Sequence, residues 1–117
     1  MGNRVVLIPS QRYAGVALEL VQTLETSDIP PGVINIVTGN KSELADQLAG
    51  HAEVDGIWCW SDDETVAKVE TTSAADLKRL WVHQEGDRDW LDPQQGEGLE
   101  FLRNATEVKN IWTPYGD

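Results

Sequence analysis

The sequence has one cysteine, one methionine and one phenylalanine, and its nine basic residues face twenty acidic ones. A single cysteine excludes an internal disulfide, which fits a reducing cytoplasm. His51, Cys59 and His83 are too widely spaced for a zinc-ligand pattern, so no metal site is expected. The shortage of cations leaves a formal net charge of -11. Such a field repels phosphate backbones, so nucleic acid is not expected as a partner. It also handicaps a dianionic dinucleotide unless a local amide nest or a helix N-terminus compensates. No apolar run approaches the ~20 residues of a membrane span, and the N-terminus lacks a signal-peptide pattern.

The chain holds 117 residues, room for one compact domain, and its mean hydropathy of -0.37 is ordinary for a soluble protein. The run Val5-Val6-Leu7-Ile8, stopped by Pro9, reads as a buried strand. Ala14, Ala17, Leu18, Val21 and Leu24 form one face of a helix over 11–26, with Ser10 as its N-cap. Two prolines and a glycine at 30–32 turn the chain. A second strand follows at 33–37, then a helix over 41–49 that starts near Asn40. A third strand spans 54–60. The next helix opens at Ser61-Asp62-Asp63-Glu64, acidic in its first turn as the macrodipole prefers, and runs to about Thr71. Residues 77–83 make a fourth strand. Alternating strands and helices joined by short loops predict an α/β fold, a Rossmann-like parallel sheet of about four strands with covering helices.

Composition shifts after His83. Residues 84–98 are polar, hold Pro93 and lack periodicity, and so read as a linker. Residues 99–104 suit one or two helical turns. Glu107 to Thr113 then alternates, with Val108, Asn110 and Trp112 on one face and Lys109 and Ile111 on the other. A terminal strand without a hairpin partner pairs with a sheet edge, its own or another chain's.

Residues 2–10 (GNRVVLIPS), 30–39 (PPGVINIVTG), 48–55 (LAGHAEVD), 77–79 (LKR) and 107–112 (EVKNIW) together resemble segments of the aldehyde dehydrogenase superfamily. Gly2-Asn3-Arg4-Val5-Val6-Leu7-Ile8-Pro9-Ser10 is similar to its Gly-Asn-x-Val-Val-Leu-Lys-Pro-Ser, and residues 30–39 (PPGVINIVTG) to its Pro-Pro-Gly-Val-x-Asn-x-Val-x-Gly. Residues 48–55 resemble its Leu-x-x-His-Pro-x-Val-Asp, Leu77-Lys78-Arg79 its Leu-Lys-Arg, and residues 107–112 its last strand, which serves subunit assembly. The resemblance implies a truncated NAD-binding domain at 1–83, the linker at 84–98 and an oligomerisation segment at 99–117. Ser10, Gly39 and Ser61 would be its surviving cofactor contacts, in degenerate form. Val108, Asn110, Ile111 and Trp112 would be its interface.

The departures from the family pattern bear on function. The lysine and glutamate that hold the adenosine ribose in the family are Ile8 and Gln11 here, and an isoleucine cannot donate a hydrogen bond. The phosphate-gripping Phe-Thr-Gly-Ser-Thr-x-x-Gly is Cys59-Trp60-Ser61-Asp62-Asp63-Glu64-Thr65-Val66, with both glycines lost and three acids gained. NAD, the family's cofactor, is therefore expected to bind weakly or not at all. The general-base position falls on His83, and the nucleophilic cysteine belongs to a catalytic domain that these residues do not include. Without that thiolate no thiohemiacetal forms, so no catalytic residue is assigned and a pseudoenzyme is expected. The chain resembles the degenerate second half of two-part aldehyde dehydrogenases; a truncated or split gene stands as the other expectation.

The remaining candidates carry bland readings. Cys59, within a predicted strand, reads as core packing, and His83 as structural. Gly39 reads as a plain turn, and the acidic 61–64 stretch as a solvated helix start without a calcium-loop spacing. Trp58 and Trp60 share a sheet face, with Cys59 on the other. With Trp81 they plug the crevice, anchor another chain or fill the core, and all three readings stand open. The functional expectation is assembly, as a homo-oligomer or with a catalytic aldehyde dehydrogenase half. The alternative is a component of a NAD-dependent aldehyde dehydrogenase, of betaine aldehyde type for example, whose thiolate lies elsewhere. A third, a small-molecule sensor, rests on fold analogy alone.

Overall fold

The computed structural model describes residues 2–114. Met1, where the first expected domain begins, and 115–117, the end of the expected assembly segment, lie outside the described residues. The chain forms two compact units, one over Gly2–Asp87 and one from Arg88 onward.

In the first unit four strands form two parallel pairs. Strand β1 (Val5–Leu7) pairs with β2 (Ile34–Ile36) in the register Val5↔Ile34 and Leu7↔Ile36, joined through α1 (Ala14–Glu25). Pro9, which has no N–H to give a ladder, follows the end of β1. Strand β3 (Gly56–Ser61) pairs with β4 (Arg79–Gln84), from Gly56↔Arg79 to Ser61↔Gln84, joined through α3 (Asp63–Ser73). Between the pairs lies α2 (Lys41–Ala49), started by Asn40, whose side chain accepts from Glu43 N. The expected four strands are all present, and each pair is parallel. They form two two-stranded sheets, however, not one continuous sheet. Strands of three residues with half-exposed valines have little ladder to extend.

The expected helix over 11–26 is divided. Gln11–Tyr13 is a 3-10 turn, and Ser10 makes no side-chain cap; its carbonyl accepts from Tyr13 N instead. Leu18, assigned to the inward face, is exposed.

The core lies around β3. Ile57 and Cys59 alternate inward and meet Ala45 and Ala49 of α2 and Val69 of α3, with Val54, Leu80 and Val82 packed against them. Full burial of a valine such as Val69 contributes roughly 1.5–2 kcal/mol. The two helices are also tied by Asp46, which accepts from Thr72 Oγ1 at 3.0 Å and faces Lys68 Nζ at 3.1 Å. The other face of β3 and β4 is aromatic. Trp58 meets Trp81 edge-on with centroids 4.9 Å apart, Trp60 meets Trp81 at 5.0 Å, and His83 stacks on Trp60 at 5.9 Å.

The second unit contains α4 (Pro93–Gly96), capped by Asp92, and α5 (Leu99–Asn104). In the stretch expected as a polar linker, Arg88 gathers other side chains. Its guanidinium lies 2.9 Å from Glu100 and stacks over Trp90 and Phe101, with only 11% of the side chain exposed. Such a cluster has no sequence period, so periodicity could not announce it. Past α5, residues 107–114 have no helix or strand, contrary to the strand expected at 107–113. A strand exists only with a ladder partner, and no described residue supplies one.

Candidate functional site

A cleft of about 300 Å³ opens where β1 and β3 end and α2 and α3 begin. Ser10, Gln11 and Arg12 line it from the end of β1, and Asn40, Lys41 and Ser42 from the start of α2. Ser61, Asp62 and Thr65 come from the junction of β3 and α3, and Glu85 follows β4. In α/β sheets ligands settle at this carboxyl end of the strands, because helix N-termini present free N–H groups there.

Several donors of this cleft are already engaged. Asp62 is the N-cap of α3: its carboxylate accepts from Thr65 N at 2.9 Å, Thr65 Oγ1 at 3.0 Å and Ser61 Oγ at 3.1 Å. Those bonds, the Thr65 N–H first, hold its carboxyl below the usual aspartate range. Lys41 Nζ donates to the carbonyl of Trp60 at 2.7 Å. Asp63 and Glu64 add two more carboxylates to the first turn of α3.

Of the three expected cofactor contacts, the structure brings Ser10 and Ser61 to the cleft. Ser61 is buried and its hydroxyl is spent on Asp62. Gly39 does not line it; a Cβ there would come 3.0 Å from Leu44 Cδ1, so the glycine allows a close side chain. Cys59 is buried behind the cleft, where burial pushes its thiol up and keeps thiolate scarce. His83 is paired with Trp60 across the strands, and its Nε2 has no hydrogen-bond partner among the described residues. The tryptophans do not line the cleft; they pack on one another, and Trp58 remains partly open. Among the described residues no group of three or more His, Cys, Asp or Glu could hold a metal ion. Sequence reasoning missed Arg12 and Glu85 as lining residues, because the ends of separate strands meet only in the fold. The capping role of Asp62 was legible in Asp62-x-x-Thr65, an acid three residues before a helical N–H.

Residues 1–91 match the model of the aldehyde dehydrogenase family. The chain belongs to that family. It is 29% identical to D-glyceraldehyde dehydrogenase (NADP(+)) of Thermoplasma acidophilum over 97% of its own length and 22% of the relative's. It is 40% identical to 1-pyrroline-5-carboxylate dehydrogenase of Oceanobacillus iheyensis over 89% of its length and 21% of the relative's. A solved aldehyde dehydrogenase C mutant from Pseudomonas syringae, in complex with NAD+ and octanal, superposes with a TM-score of 0.67 at 30% identity. That match covers 73% of this chain and 18% of the other. The chain thus spans about a fifth of the length of these family members. Among the described residues no helix is long and apolar enough to cross a membrane.

Proposed function

We propose that the chain is a non-catalytic, aldehyde-dehydrogenase-like unit that serves assembly in the cytoplasm. The observation that carries this reading is the segment after α5. Val108 is 84% exposed and Trp112 88%, on a stretch whose residues alternate but pair with no strand among the described residues. An alternating segment with open backbone groups adds to the sheet edge of another chain. Val108, Asn110, Ile111 and Trp112 are the contact residues, and the partner is a second copy or the catalytic half of an aldehyde dehydrogenase. The buried thiol of Cys59 and the histidine at the general-base position support the pseudoenzyme part of the reading. Light scattering on the full chain and on a deletion of residues 105–117 tests it. The full chain should be an oligomer and the deletion a monomer; equal association states in the two would sink the proposal.

A second reading is favoured by the family match and by the NAD+ bound to the Pseudomonas syringae neighbour. The chain would then be part of a NAD-dependent aldehyde dehydrogenase, with betaine aldehyde or another small aldehyde as substrate. A thiolate from another chain or segment would do the chemistry, with Ser10, Gly39 and Ser61 as cofactor contacts. Saturable NADH binding tighter than about 1 mM, followed by tryptophan quenching, would put this reading first.

A further inference from the structure

We propose that Asp62 is a built-in anion that closes the cleft to phosphate-bearing ligands. The inference is independent of the assembly reading. A phosphate at the start of a helix is held by free backbone N–H groups and by the positive end of the macrodipole. At α3 that place is taken. One carboxylate oxygen of Asp62 accepts from Thr65 N, and the other from the hydroxyls of Thr65 and Ser61. These three donors, on which a phosphate at the start of α3 would draw, are bound to an oxyanion of the chain itself.

Of the two cations in the lining, Lys41 is committed to the Trp60 carbonyl, and Glu85 adds a second carboxylate to a lining that also holds Arg12. Asp62 is charged at neutral pH, because its hydrogen bonds hold its carboxyl below the usual aspartate range. The residues present therefore do not fit the pyrophosphate of a dinucleotide. Asp62 is the side chain that occupies the α3 donors.

Titration of the full chain with inorganic pyrophosphate, followed by the amide resonances of Thr65 and Val66, tests this. The wild type should not saturate up to about 10 mM. Asp62→Gly frees the donors, and Asp62→Asn keeps a cap without the charge; each should bind at least about tenfold more tightly than the wild type. Asp63→Asn removes the same charge one residue away and should leave binding unchanged. If Asp62→Gly does not fold, Asp62→Asn decides, since asparagine caps as well as aspartate. Pyrophosphate binding by the wild type below about 1 mM overturns the proposal. So does a gain in Asp63→Asn equal to that in the Asp62 variant, or no gain in a folded Asp62 variant.

Discussion

The ammonium of Lys41 donates to the carbonyl oxygen of Trp60 at 2.7 Å, so the first residue of α2 fastens the end of β3. The bond is partly buried and joins elements nineteen residues apart. Lys41→Met keeps most of the stem and removes the donor. It should lower stability by about 1 kcal/mol in urea unfolding, the net worth of such a bond. An unchanged midpoint would mean that water replaces the ammonium at no cost.

Acid should weaken the first unit through Asp46 and Asp62. Both carboxyls are held below the ordinary aspartate value, Asp46 chiefly by its hydrogen bond with Lys68 and Asp62 chiefly by Thr65 N–H. A carboxyl depressed in the folded state contributes stability above its unfolded pKa, and loses it as pH falls through the folded one. The loss therefore begins near pH 4 and grows below it. The double variant D46N/D62N should be less stable at neutral pH and flatter below pH 4 than the wild type. Parallel curves for the two proteins would remove these carboxylates from the account.

Cys59 should react slowly while the protein is folded. Its side chain is buried, and burial raises its thiol pKa. Iodoacetamide at pH 8 should label it at least about tenfold faster in denaturing urea than in buffer, with mass spectrometry as the readout. Equal rates would show a thiol that reaches solvent in the native state.

Leu77 holds a left-handed backbone, φ 53 and ψ 39, after the short 3-10 turn Ala74–Asp76, and its side chain is 89% exposed. A side chain there costs about 1 kcal/mol that glycine does not incur. Leu77→Gly should raise the thermal midpoint, the gain reduced by the greater freedom of glycine in the unfolded chain. A fall in midpoint would show that the leucine makes a contact stronger than its strain.

The helices and strands of the first unit were legible where local signals agreed. Lys41–Ala49 was read with its boundaries because Asn40 caps it and Ala45 and Leu48 keep one face. Trp58 and Trp60 were placed opposite Cys59 by the period of two, and the sheet keeps them there. Pairing was less legible. Alternation says which side a residue faces, but not which strand lies beside it, so two short sheets looked like one. Arg88 with Trp90, Phe101 and Glu100 was invisible because aromatic stacking and ion pairing leave no period. Within the cleft, the Asp62–Thr65 cap followed from local order, whereas Arg12, Lys41 and Glu85 converge only through the fold.

Among the described residues, the buried core lies between Ala45 and Val82. During synthesis, β1 with its valines and α1 with its leucines therefore emerge before any of that core exists. Until that core forms, the half-exposed apolar residues of β1 and α1 are open to other nascent chains and to chaperones.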